Sequence, residues 1–312
     1  MAKTLTSHRP VLAIALKVTA VLLFSVMAAL IKATSDDVPP GEAVFFRSLF
    51  AIPVIVIWLA ARGQLRHGLI AKKPIDHIWR GVLGTLAMGM TFAGLGLLPL
   101  PEVAAIGYAT PIFTLILAAM MLGERIRMVR ISAVLIGLVG VLIMLWPRLG
   151  GGATMQDTAT IGAVLILIAT MARALVQIYI RKLVQTEHTA AIVFYFSATA
   201  TVLSLLSLPF GWVVPSFDVM ALLVLSGILG GMAQILVTSS YRFGAASMLA
   251  PVDFTSMLFA ILIGYVWFSE FPTTVMLIGA TLVIAGNILV IWREHHLGLE
   301  RGRARSVSDP KG

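Results

Sequence analysis

Four ionisable side chains stand inside long apolar runs: Lys17, Arg47, Arg173 and Asp253. A charged group near the centre of a bilayer costs about 2.5–3.5 kcal/mol or more, so each is read first as functional. At about 1.5 Å of rise per helical residue, Lys17, Arg173 and Asp253 each lie roughly 10 Å inside the same face. Gln177 is one turn from Arg173 on the same helix face, and Gln234 falls at a similar depth. Lys17, Arg173, Gln177, Gln234 and Asp253, with Phe254 beside the carboxylate, could therefore line a cavity that binds a polar or planar solute. The alternative is an Arg173–Asp253 ion pair that only joins two helices, with Lys17 extending to the interface. Toward the other face Arg47 lies close to Glu102, which serves equally as a gate or as a clamp. Tyr108, Tyr195 and Phe254 could stack on a flat solute or simply pack. Asp253 is also the first candidate for a proton site, although pairing with Arg173 would oppose its protonation.

No set of residues supports catalysis. The six histidines (His8, His67, His77, His188, His295, His296) fall outside the apolar runs and lack ligand spacing, and the chain has no cysteine. No metal constellation, catalytic dyad or Walker-type phosphate loop is present, so no cofactor is expected and the chain is not itself an ATP-driven pump.

The elements that must position these groups are membrane spans. The chain has 312 residues, 59% of them apolar and 12% charged, against about 25% charged in soluble domains. Ten runs are long enough to span: 11–31, 43–61, 79–98, 103–122, 129–146, 160–180, 189–210, 219–238, 246–268 and 273–292. Inside a bilayer, runs without period-two alternation must be helices, so the expected fold is an all-α membrane protein of ten transmembrane helices. The formal charge of +9 does not point to nucleic acid, because the cations cluster at one set of run ends: eighteen Lys and Arg on one side, Arg80 and Arg242 among them, against two on the other. The positive-inside rule then puts both termini in the cytoplasm. The expected partners are a small-molecule solute and the lipid bilayer.

The chain is also duplicated. Moving Gly81–Trp146 forward by 146 positions without a gap superimposes it on Gly227–Trp292, matching Gly81 to Gly227, Gly84 to Gly230, Glu124 to Glu270 and Gly140 to Gly286. Val44-Phe45-Phe46-Arg47-Ser48 similarly matches Val193-Phe194-Tyr195-Phe196-Ser197. Residues 1–150 and 151–292 then form two five-helix repeats, followed by a polar basic tail, 293–312. Five being odd, tandem repeats must be inverted, a transporter architecture with its site at the repeat interface. The paired glycines on the third helix of each repeat mark close helix packing. Pro111 and Pro251 can kink their helices. Glu124 and Glu270 are read as structural, each bonding backbone groups at the next helix start.

The paired helix ends, Ala109-Thr110-Pro111-Ile112-Phe113 to Leu122-Gly123-Glu124-Arg125 and Ala250-Pro251 to Phe268-Ser269-Glu270, resemble the drug/metabolite transporter superfamily, in its ten-helix EamA-type branch. The likeness runs over residues 11–292; Met257 stands where the register would place a match to Pro111. Within that superfamily Gly41-Glu42-Ala43-Val44-Phe45-Phe46-Arg47-Ser48, Leu98-Pro99-Leu100-Pro101-Glu102 and the tail from Arg293 to Arg301 resemble bacterial riboflavin importers. The resemblance implies an inner-membrane carrier that moves a small organic metabolite by alternating access, with riboflavin uptake as the specific expectation and export of amino acids or related metabolites as the alternative. A channel or a membrane-embedded enzyme is the rival class.

Overall fold

The computed structural model describes residues 9–63, 65–122, 128–149, 158–244, 249, 252–253, 255–286 and 288–289. Its helices are α1 (Pro10–Ala33), α2 (Pro40–Ala61), a single turn α3 (Leu65–Gly68), α4 (Pro74–Leu97), α5 (Leu100–Gly107), α6 (Thr110–Leu122), α7 (Met128–Leu149), α8 (Thr158–Leu183), α9 (Thr189–Ser204), α10 (Phe217–Phe243) and α11 (Thr255–Phe268), then α12 (Thr274–Gly286). A 3-10 segment, Leu205–Phe210, extends α9. Among the described residues there is no strand. Prolines open α1, α2 and α4, where the missing N–H has no helical acceptor and the fixed φ favours the first turn. Ser216 caps α10 by accepting from the Val219 N–H at 3.4 Å.

Among the described residues six helices are long and apolar enough to cross a membrane, and two of the ten expected runs are interrupted. The run 103–122 is divided at Tyr108–Ala109 into α5 and α6. Pro111 explains the division: proline fits the first turn of a helix but not its interior, so the helix restarts at Thr110. The freed carbonyl of Gly107 is taken by the Thr110 hydroxyl at 2.7 Å. In the run 246–268, Val252 and Asp253 form a 3-10 turn and α11 starts at Thr255. There Thr255 and Ser256 hydroxyls donate to the Val252 and Asp253 carbonyls, each at 2.7 Å. Pro251 and Glu124 lie outside the described residues.

The two halves pack reciprocally. α1 runs along α10 while α8 runs along α4; α2 packs on α10 while α9 packs on α4. Glycines make the closest of these contacts. A Cβ at Gly84 would lie 2.8 Å from Phe196, and one at Gly230 would lie 2.7 Å from the Arg47 side chain. Gly81 meets Thr199 at 2.7 Å, and Gly227 meets Phe50 at 2.6 Å. Under the sequence register, each of these contacts maps onto the other of its pair. Such exchange of contacts is what a two-fold operation generates. α7 meets α12 where Gly140 faces the Gly279 carbonyl, 2.6 Å from where a Cβ would stand.

Glu270 is structural, but its partners differ from those expected. It accepts from the Leu100 N–H at 2.8 Å, opening α5 in the opposite half, and pairs with Lys32 at 2.9 Å. Arg80 is not at a helix end facing water: α4 begins at Pro74, which sets Arg80 inside it at 2% exposure. Arg242, in the last turn of α10, donates to the Glu187 carbonyl. His77 is likewise inside α4, buried with its Nε2 3.8 Å from the Glu187 carboxylate.

Candidate functional site

The halves enclose a cavity of about 410 Å³. Its longest wall is a stripe of α4 at helical spacing, Arg80, Gly84, Ala87, Thr91 and Leu95. α1, α8 and α10 form the other walls, and the α5–α6 break and the turn before α11 meet across one side. Lys17, Gln177, Arg173, Gln234 and Asp253 all line this one cavity, together with Arg47 and Tyr108. Glu102 is not among the lining residues, and Phe254 lies outside the described residues.

Arg47 and Arg80 converge on Phe196. The Arg80 guanidinium carbon lies 3.6 Å from the ring centroid and that of Arg47 lies 5.6 Å from it, so both guanidiniums lie against this one ring. A cation over an aromatic face is attracted by the ring quadrupole, and the glycines at 84 and 230 leave room for this stack. Arg80 Nη2 donates to Gln234 Oε1 at 3.4 Å, and Arg47 Nη2 to the Gly230 carbonyl at 3.3 Å. The Nε and Nη1 groups of both arginines are buried without a partner. Arg47 therefore forms no clamp with Glu102: its side chain leaves α2 toward α10, because Gly230 offers a groove there.

Arg173 donates to Thr91 Oγ1 at 3.3 Å, while its Nε is buried without a partner. The expected Arg173–Asp253 pair is not formed. Asp253 instead meets Lys17 at 2.8 Å, and the Lys17 ammonium also donates to the Tyr241 hydroxyl at 3.3 Å. Lys17 does not reach the interface; it is 3% exposed. The cause is the break before α11, which turns Asp253 toward α1. Tyr108 offers its hydroxyl oxygen to the Met257 N–H at 2.7 Å, so it ties the α5–α6 break to the start of α11. Tyr195 points away from the cavity, its hydroxyl donating to the Leu69 carbonyl at 3.0 Å; the neighbouring Phe196 is the ring that faces it.

Four cations (Lys17, Arg47, Arg80, Arg173) and one carboxylate (Asp253) line the space, an excess of three positive charges. Arginine forks match carboxylate and phosphate oxygens in pairs. No group of three or more His, Cys, Asp or Glu able to hold a metal occurs among the described residues. Sequence reasoning missed Arg80 and Phe196. The signal for Arg80 was Pro74, a helix start two turns before it.

The EamA-like transporter family model matches residues 11–146 and again 160–292. The chain belongs to the EamA-like transporter family. It is a multi-pass membrane protein whose fold repeats one EamA unit twice, as the superfamily resemblance implied. Pseudomonas aeruginosa has a similar protein, "Pseudopaline exporter CntI", 30% identical over 88% of this chain and 93% of its own length. The "S-adenosylmethionine uptake transporter" of Rickettsia bellii is 27% identical over 81% of this chain and 84% of its own. The "Riboflavin transporter" of Rhizobium johnstonii is 26% identical over 82% of each chain. One solved structure matches with a TM-score of 0.65 at 21% identity, covering 91% of this chain and 98% of that one, which is a likeness of fold. EamA relatives thus include proteins named for export and for uptake.

Proposed function

We propose that this EamA protein is a secondary carrier of the bacterial inner membrane, both termini cytoplasmic, that moves a small organic anion by alternating access between two inverted five-helix halves. The observation that carries this reading is the set of buried guanidiniums, Arg47, Arg80 and Arg173, which face one cavity and pair with no described carboxylate. Unpaired ions away from water are costly, and arginines retained at such a place serve a solute that completes them. The reciprocal packing of the halves supports two interconverting arrangements around a fixed central site.

Riboflavin uptake is the second reading. The segment resemblance and the Rhizobium relative support it, and Phe196 offers one aromatic face. A neutral ring system leaves the three guanidiniums without counter-charge, so the anion reading stands ahead. The test is transport by the purified full chain in proteoliposomes, using labelled riboflavin, glutamate, suberate and citrate. Saturable, counterflow-capable flux of one or more anions, with Arg80→Gln lowering the initial rate at least tenfold at equal inserted protein, is the expected result. Riboflavin flux that no anion inhibits would replace the proposal with the riboflavin reading. Flux that does not saturate would indicate a channel.

A further inference from the structure

The positive charge in the cavity is not spread evenly. Arg47 and Arg80 share the ring of Phe196, and Arg80 Nη1 lies 3.5 Å from where a Cβ of Gly84 would be. The guanidinium of Arg173 is elsewhere, fixed by its 3.3 Å bond to Thr91 Oγ1. Gly84 and Thr91 stand on the same lining stripe of α4, two turns apart, which is about 10 Å along the helix axis. Between them the lining of α4 is apolar, Ala87 and Met88. The remaining charges of the cavity, Lys17 and Asp253, satisfy each other. The cavity therefore has two separate cationic ends with apolar residues of α4 between them.

We infer that the solute is a two-headed organic anion, with one carboxylate or comparable acidic group held by Arg47 and Arg80, a second held by Arg173, and a largely apolar linker between them. This rests on the cavity being the transport site. The two heads differ in kind. The Arg47–Arg80 head presents two guanidiniums backed by an aromatic face, which suits a fully ionised group. The Arg173 head presents one guanidinium with the Thr91 hydroxyl beside it, which suits a carboxylate flanked by a hydrogen-bonding substituent. A compact anion can reach only one head at a time. A linker that spans both gains the second contact without a second loss of translational freedom.

The probe is a homologous series of α,ω-dicarboxylates (succinate, glutarate, adipate, suberate, sebacate) with the matching monocarboxylates. Binding to the full chain in detergent is read by thermal shift and calorimetry. The expected result is an affinity maximum in the middle of the series, at least tenfold tighter than the monocarboxylate of equal length. Arg173→Gln should flatten the length dependence and remove the dicarboxylate advantage. Arg80→Gln should weaken both classes. Dicarboxylates and monocarboxylates binding equally, at every length, would overturn the two-headed solute yet leave the anion site standing. An Arg173→Gln chain that keeps the length maximum would also overturn it. No carboxylate binding at all, with riboflavin bound instead, would remove the underlying anion reading itself. Arg173→Lys, which keeps the charge but loses the fork, serves as the folding control and should retain part of the advantage.

Discussion

At the scale of single residues, the chemistry of the cavity is set by which cations lack partners. Lys17 and Arg173 were visible from sequence, because each interrupts an apolar run. Their partners were not, because pairing depends on which helices are neighbours and on how the chain turns before α11. Arg80 was hidden by its place at the start of the run 79–98, where it counted among the cations at one set of run ends, whereas the helix begins at Pro74. Arg80 and Phe196 now lend themselves to a direct comparison. Phe196→Leu removes a ring that lies under two guanidiniums, and the cation–ring attraction in a desolvated site is about 2 kcal/mol. Transport of the anion is expected to slow by roughly tenfold or more, tenfold corresponding to about 1.4 kcal/mol. Phe196→Tyr, which keeps the face, should retain most of the rate. Initial rates normalised to inserted protein check this; equal rates for Leu and wild type would show that the stack has no part in binding.

At the scale of elements, the informative feature is the matched pair of helix breaks. The register sets Tyr108 against Phe254 and Pro111 against Met257. These departures from symmetry compensate each other. Met257 has an N–H that proline would lack, and the Tyr108 hydroxyl accepts it at 2.7 Å; on the other side Phe254 has no hydroxyl and Pro111 has no N–H. The departure at Met257 was legible as a mismatch in the repeat, but its meaning required the contact across the halves. Tyr108→Phe is expected to leave a buried N–H unsatisfied, a loss of about 1–3 kcal/mol, seen as a lower midpoint of thermal unfolding in detergent. The Lys17–Asp253 pair gives a second, asymmetric expectation. The Lys17 side chain is 4% exposed and that of Asp253 is 41% exposed. Removing the carboxylate strands a buried ammonium, whereas removing the ammonium leaves a carboxylate that water can reach. Asp253→Asn should therefore lower the unfolding midpoint more than Lys17→Met does, and the double change should recover most of the Asp253→Asn loss. Equal losses from the two single changes would contradict the burial argument.

At the scale of the whole molecule, the repeat explains both what was legible and what the fold is for. The 146-residue register predicted which glycines would be equivalent, and the structure places them in equivalent contacts. It could not predict that Arg47 and Phe196, equivalent positions in the two second helices, would be drawn into one stack at one end of the cavity. Two ion pairs join α1 to the sequence flanking α11: Lys17–Asp253 near the start of both helices and Lys32–Glu270 near the end of both. The cavity lies between these levels, bounded by Ile180 and Tyr241 toward the first and by Leu95 and Leu100 toward the second. If the halves rock about the site, the two pairs oppose each other as latches. Because the chain has no cysteine, single cysteines at Ile180 and Leu95 report each end without background. Glu270→Gln is expected to release the Lys32 end, raising the labelling rate of Leu95→Cys by a water-soluble thiol reagent and lowering that of Ile180→Cys. Asp253→Asn should do the reverse. A saturating anion should shift the two rates in opposite senses in the otherwise unaltered chain. Rates that rise together at both ends would describe a continuous pore, and alternating access would then have to be given up for this chain.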